Sequence, residues 1–425
     1  MSILNAMYTG VSGLEAESSD LNIIGNNISN ANTYGFKESR AAFDNVMGSI
    51  DPSATGDGVQ LGSSQQVFTQ GSLLNTGVSS DLAISGNGFF VVQGSVGGVA
   101  GNYYERDGQT STNAQGQLVD SNGLALQGYA IGANGQMSST LGAITLPTSA
   151  LTPQPTTTVS MSANLQATSS TTSTTFDPTN PTATSNFNTS INVYDSRGVS
   201  HQASVYFTQT GANSWTYNAL VPAQDTGGQA GGTPTTISSG TLTFNSNGSL
   251  NTVTPSSTSV TFTDASSQTI NFSFGSQTST GGTGLDGLTQ FGTPSVISSQ
   301  TQNGYASGAM SGVQVGQDGT VSGVYSNGQT IPVGQLAIAT FPSTSGLTSA
   351  GNNLWAGTQK SGAAALGAAG VGGRGSISSG SLEQSNVDIT AQFVDLIAQQ
   401  RAFEADSKTV TTADQMMQSL MQMKQ

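Results

Sequence analysis

The chain has 425 residues, enough for about two to four domains, and carries 9 Lys+Arg against 23 Asp+Glu for a net charge of −14. Its few cations are scattered singly apart from Lys37 and Arg40, so it lacks the clustered basic footprint that nucleic acid or an anionic membrane surface requires. Cysteine is absent, which excludes thiolate catalysis, disulfides and Cys-ligated metals.

The N-terminal stretch, about 3–28, reads as an amphipathic helix. Leu4, Met7, Val11, Leu14, Leu21 and Ile28 recur at alternating steps of three and four, with Ser18 and Gly25 in the gaps. Gly10 and Gly13 weaken it, because glycine is a poor helix former. The Asn-rich run 26–32 then breaks the pattern. Residues 72–147 read as β-structure: the β-prone run Phe89–Val92 follows a turn, and further turns are predicted at Asp107-Gly108, Gln115-Gly116, Asn122-Gly123 and Asn134-Gly135. Over residues 148–300 the composition shifts, with Ser and Thr dominant and Lys absent. Strands are predicted there at Ser190–Tyr194, Ala203–Thr208, Ser214–Leu220, Gly240–Phe244, Ser259–Thr263 and Thr269–Phe274. The Ser/Thr tract 167–190 reads equally as a plain linker or as a decorated or partly ordered loop. Residues 301–355 return to the composition of 72–147, and the Gly/Ala/Ser-rich 360–381 reads as an extended connector.

From Leu382 a long helix is predicted to run to about Met423, capped by Asp388 or Asn386, a rod of roughly 50–60 Å. Ile389, Leu396, Phe403, Val410 and Met417 recur in a seven-residue repeat, flanked by Phe393, Ile397, Ala413, Leu420 and Met421. Such a repeat keeps one apolar seam facing a partner helix. The two ends are therefore expected to meet and to bury their seams, a polymerisation core of Leu4, Met7, Val11, Leu14, Leu21, Ile28, Ile389, Phe393, Leu396, Phe403, Val410, Met417 and Leu420. A two-helix hairpin in a monomer would use the same seams but supplies little core of its own.

No catalytic or metal-binding constellation is evident, and no cofactor is implied. The single histidine, His201, sits in a strand-like stretch, and Asp177, Asp195, Asp225 and Asp264 read as turn residues. No apolar stretch reaches the roughly 18 residues of a membrane span, so no membrane insertion is expected. No cation precedes Lys37, so no cleaved signal peptide is expected, although the composition suits an extracellular protein.

The expected fold class is α+β, mostly β, with terminal helices paired in a coiled-coil-like core around nested discontinuous β-domains. The expected division is a terminal helical domain (1–30 with 383–425), a mixed connector region (31–71 with 356–382), an inner β-domain (72–147 with 301–355) and an inserted outer β-domain (148–300).

Several motifs resemble those of the bacterial flagellar axial family of rod and hook proteins. Asn26, Asn27, Asn30, Tyr34, Gly35, Phe36 and Lys37 fall in a segment similar to the signature that follows the family's first helix. Gly86, Gly88 and Phe89 match its Gly-Asn-Gly-Phe-Phe segment. Leu126–Tyr129 and Gly351–Trp355 also fit, as do Asn386 and Val387 before the terminal helix and Gln400 and Arg401 within it. Chain length, the 148–300 insertion, and Val193–Gly198 followed by Val205–Phe207 favour the hook branch. The resemblance implies a structural subunit and not an enzyme. Its partner is itself, in a curved, hollow helical tube acting as a universal joint between rod and filament. Rod, hook-cap and hook–filament junction proteins and the flagellar type III export apparatus are further implied partners. The implied location is the flagellar hook, outside the cell. A distal rod protein is the neighbouring alternative. A β-rich extracellular adhesin is a second class, but it has no use for paired terminal heptads. A two-carboxylate glycosidase is a third, and no acidic pair or aromatic cleft marks it.

Overall fold

The computed structural model describes residues 3–46, 56–132, 134–172 and 174–423; at residues 3–5 and 257 the description covers the backbone alone. The fold is mostly β, with one long helix at each end. The chain divides into two compact units, residues 1–148 with 311–324 and 330–425, and residues 149–310 with 325–329.

In the first unit, helix α1 (Ile3–Ser29) and helix α2 (Ile389–Met423) pack against each other. Helix α1 runs through Gly25 and ends where side chains take over its last carbonyls: the Ser29 hydroxyl donates to Gly25 O at 2.8 Å and the Asn30 amide to Asn26 O at 3.0 Å. Helix α2 begins at Ile389, seven positions later than the predicted Leu382. Ser381–Glu383 is instead a strand paired with Leu73–Asn75, and Leu382 is buried there opposite Leu74. Asp388 provides the cap, accepting at Oδ1 from the N–H groups of Thr390 and Ala391 at 2.8 and 3.2 Å. Asn386 does not cap the helix.

Between the helices lie β1 (Ser39–Asn45) antiparallel to β2 (Val59–Gln66), then β3 (Leu73–Asn75) and β4 (Leu82–Ser85), and a large sheet centred on the antiparallel pair β5 (Phe89–Val96) and β6 (Val99–Glu105). Strand Ala125–Ile131 borders β5 on one side and strand Thr330–Leu336 follows it. Leu82, Ile84, Phe90, Leu126, Leu336 and Ile338 are buried in this unit. Phe68, Phe89, Phe341, Tyr104 and Trp355 form edge-to-face contacts with centroids 4.7–6.0 Å apart. The Asn-Gly steps at 122–123 and 134–135 are turns, with glycine φ of 80° and 74°. Asp107-Gly108 is not. Gly108 lies against Leu82, whose backbone a Cβ would strike, and its carbonyl accepts from Leu82 N at 2.9 Å. The segment read as a connector is stitched into sheets: Ala365–Gly367 pairs with Ile338–Thr340, and Ser376–Ser379 pairs with β4.

The second unit holds a five-stranded antiparallel meander, Phe187–Tyr194, Ser200–Gly211, Ser214–Val221, Thr235–Phe244 and Leu250–Ser257. A four-stranded sheet built on Thr158–Asn164 shares its core, where Trp215, Tyr217, Phe207, Phe262 and Phe274 are buried. The described part of the Ser/Thr tract folds onto the meander: Thr172 N donates to Gln209 O at 3.0 Å, and the Phe176 ring lies 5.8 Å from that of Tyr206. The strands Thr158–Asn164, Leu250–Ser257 and Val296–Gln302 escaped sequence reading.

Candidate assembly surface and its anchoring junction

Helices meet closely only where their facing side chains are small. The buried side of α1 is made by Gly10, Gly13, Ala16, Ile24 and Asn27, at helical spacing. A Cβ on Gly10 would come 2.8 Å from Val410 Cγ2, and one on Gly13 would overlap the Asp406 carboxylate. The less exposed side of α2 is Gln392, Leu396, Gln399, Ala402, Asp406, Val410, Ala413 and Met417.

The predicted large apolar residues divide between two faces. Leu396, Val410 and Met417 lie on the side of α2 nearest α1. Met7, Leu14, Leu21 and Ile28 are half-buried, and Val11 is exposed. Of Leu4 only the backbone belongs to the described residues. Ile389, Phe393, Ile397, Phe403, Leu420 and Met421 are exposed, Phe393 at 50% and Ile397 at 58%. Stripes of this size on an otherwise polar helix remain open to a partner.

The helix pair also gathers acids. Burial, with the Asp406 charge behind it, raises the Glu17 carboxyl above its ordinary value; burial and Asp395 do the same to Asp20. Glu38 is raised by burial and then by Asp395. Glu17 Oε2 is buried without a hydrogen-bond partner.

At the base of the helices the signature residues converge on a buried polar junction. Asn27 donates to Ser39 O at 2.7 Å and to Gln392 Oε1 at 3.1 Å, and accepts from Ser39 N at 3.0 Å. Gln392 in turn donates to Glu38 Oε1 at 3.1 Å. Asn386 accepts from Glu38 N at 2.8 Å and donates to Val67 O at 2.8 Å. The centre is an ion triad. Glu383 bonds Lys37 Nζ at 2.6 Å and Arg106 Nη1 at 3.0 Å, with both the Lys37 and Glu383 side chains fully buried. Lys37 also donates to Thr69 O at 2.8 Å, and Gly71 N donates to Glu383 Oε1 at 2.9 Å. Burial lowers the Lys37 ammonium, while Glu383 opposes that shift.

Gly35 has φ +69° and lies where a Cβ would strike the backbone at Arg106–Asp107; its N–H donates to Glu383 O at 2.8 Å. Arg106 donates to Gly86 O at 2.7 Å and its guanidinium carbon lies 5.5 Å from the Phe89 ring centroid. Tyr34 O accepts from Asn353 at 3.2 Å. Phe36 and Val387 are half-buried at the margin, and Gly88 has φ 127° beside Ile338. Asn26 and Asn30 serve the end of α1. Gln400 and Arg401 stand apart, exposed on α2, with Arg401 paired to Glu404 at 3.1 Å. Sequence reading missed Glu383, Arg106 and Gln392. Arg106 lies in the run Glu105-Arg106-Asp107, a cluster of charge in a chain with only 8% charged residues, and that was the one available signal; nothing local marks Glu383 or Gln392.

Four family descriptions match this chain: flagella basal body rod protein over residues 7–37, flagellar hook protein FlgE/F/G D1 domain over 83–165, flagellar basal body protein FlaE D2 domain over 164–305, and flagellar basal body rod FlgEFG protein C-terminal over 378–423. These define the class as the axial proteins of the bacterial flagellum. The flagellar hook protein FlgE of Salmonella typhimurium (strain LT2) is 38% identical over 420 residues, covering 97% of this chain and 98% of that protein. That of Escherichia coli (strain K12) is 36% identical over 430 residues, covering 99% and 100%. The crystal structure of Helicobacter pylori flagellar hook protein FlgE2 matches 72% of this chain and 98% of that one with TM-score 0.50 at 14% identity, a likeness of fold. The chain belongs to the flagellar hook protein FlgE family.

Proposed function

We propose that the chain assembles with copies of itself through the outward stripes of its terminal helices. As a member of the hook family it is a structural subunit of the bacterial flagellar hook. The observation that carries the proposal is the division of labour on the helices. Small residues, Gly10, Gly13 and Ala16, let the pair close within one molecule, while Ile389, Phe393, Ile397, Phe403, Leu420 and Met421 stay exposed on the other side of α2. In this reading Met7, Val11, Leu14, Leu21, Ile28, Ile389, Phe393 and Phe403 are buried by neighbouring subunits, at about 25 cal/mol per Å² of apolar surface removed from water. The buried junction then passes load between the helices and the β-structure.

The polymer is a hollow tube that transmits torque from rod to filament while it bends. The chain does this as a structural element and not as an enzyme. It contacts rod, cap and junction proteins at the ends of the tube and reaches the cell exterior through the flagellar export apparatus. Its domains are nested: terminal helices, connector, inner β-domain and inserted outer β-domain. The test is Phe403→Asp, or Phe393→Asp, in the full chain. Each side chain is exposed in the single molecule, so the β-units keep their circular dichroism and melting. Sedimentation and electron microscopy then find no long particles, because a buried unpaired carboxylate costs several kcal/mol at every subunit contact. Normal tubes from both variants overturn the proposal.

A further inference from the structure

The only histidine of the chain lies inside the second unit, held by groups that nothing in the assembly role requires. His201 is 8% exposed on strand Ser200–Gly211, opposite Val193. Its Nε2 lies 3.4 Å from Asp195 Oδ2 and its Nδ1 lies 3.2 Å from Asp225 Oδ2. The ring stacks on Phe262 with centroids 4.0 Å apart and planes 12° from parallel. A neutral imidazole has one N–H and one lone pair, so it can donate to only one of two flanking carboxylates. The imidazolium donates to both.

The two aspartates belong to different loops. Asp195 shapes the turn after strand Phe187–Tyr194, accepting at Oδ1 from the N–H groups of Arg197 and Val199 at 2.8 Å each. It is desolvated, yet those N–H groups and the His201 ring hold its carboxyl below the ordinary value. Asp225 sits in the helical turn Ala223–Thr226, and its carbonyl accepts from Thr263 N at 2.9 Å. The remaining charges nearby are Arg197 and Asp264, 4.0 Å apart and largely exposed; Arg197 also donates to Thr263 O at 3.1 Å.

We propose that His201 is a proton-operated clasp: protonated, it ties the Asp195 turn and the Ala223–Thr226 turn to one strand; deprotonated, it releases one of them. Donation to both carboxylates exists only in the imidazolium. The clasp is therefore closed while the ring is protonated, and one of its two ties opens when the ring loses its proton. Because the chain has one histidine, no second imidazole contributes.

Hydrogen exchange on the full chain, resolved by segment and expressed as protection factors, tests this at about pH 5.5 and about pH 8. Protection of the 195–201 and 223–226 segments should fall about tenfold or more between the two conditions, the scale of one lost charge-assisted hydrogen bond. Protection of the central strand Ser214–Val221 should not change. Asp225→Asn leaves a neutral partner that either tautomer can satisfy, and His201→Gln removes the titration; both should abolish the step. Equal protection at the two pH values in the unaltered chain, or the same step persisting in Asp225→Asn, overturns the clasp. Asp225→Asn keeps the test decisive if His201→Gln does not fold.

Discussion

Glu383 joins three separate parts of the chain, and its burial sets what its loss costs. Replacing it by Gln leaves Lys37 and Arg106 buried without a counter-charge, a change of about 3–5 kcal/mol. Glu383→Gln is expected to lower the melting temperature of the first unit sharply and to loosen both helices from it, read by thermal unfolding and by protease sensitivity near residues 30–40 and 383–390. Glu105 is the opposite case. It is 1% exposed, neither carboxylate oxygen has a hydrogen-bond partner, and burial, with Asp120 and Asp107 adding to it, pushes its carboxyl from 4.5 up to about 9. The fold therefore takes up a proton that the unfolded chain has released, and stability falls as pH rises from about 4.5 to about 9. Glu105→Gln is expected to remove that slope and to stabilise the protein by a few kcal/mol near neutral pH; denaturant melts at pH 5, 7 and 9 compare the two, and an unchanged slope rejects the assignment. None of these roles was legible in the sequence. The signature from Asn26 to Lys37 marked the family, but its partners Glu383 and Gln392 lie more than 340 positions away, and one sequence does not say which distant carboxylate meets Lys37.

At the scale of elements, the apolar period was legible and its destination was not. Both terminal helices were predicted from it, and the β-prone runs located β5 and much of the five-stranded meander, while many of the shorter strands went unread. The start of α2 was misplaced because Leu382 and Glu383 fit the helical pattern, while the ladder to β3 that claims them is invisible locally. Large residues mark a seam in sequence, whereas helix contact here runs through Gly10 and Gly13, which propensity counts as weak points. The acids along that contact predict a pH response. Glu17, Asp20 and Glu38 are all raised, so pairing of α1 with α2 is stabilised below the ordinary carboxylate range and loses that contribution as pH rises through the raised values. Protection factors for residues 10–28 in the single molecule should accordingly be higher at about pH 4 than at about pH 7. The reverse order would show that these acids do not control pairing. Gly13→Leu should abolish the protection at both pH values, since the side chain displaces Asp406 and separates the helices.

At the scale of the whole molecule, the features that the proposed assembly uses all belong to one unit. The helix pair, the ion triad and the aromatic cluster around Phe89 lie in the first unit, whereas the second has its own core around Trp215 and Phe207. The Ser/Thr-rich, Lys-free composition was read over 148–300, whereas the compact unit spans 149–310 and takes in 325–329. Two independent cores mean that removing one takes little apolar burial from the other. The chain leaves the first unit at Thr148 and returns to it at Ser311, so a short Gly/Ser link can replace residues 149–310 at a modest loop-closure cost. Residues 325–329 can stay as a tight turn, closed by Gly328 N donating to Tyr325 O at 2.9 Å. The shortened chain should fold, with the melting of the first unit retained, and should still form tubes, thinner and of altered curvature. The proposed contact runs through the helix stripes alone, so swimming should suffer more than tube formation. Electron microscopy of flagella from a strain carrying the deletion decides the matter. Complete loss of tubes, with the shortened protein exported and folded, would mean that the second unit is itself part of the polymer contact and that the outward helix stripes are insufficient without it.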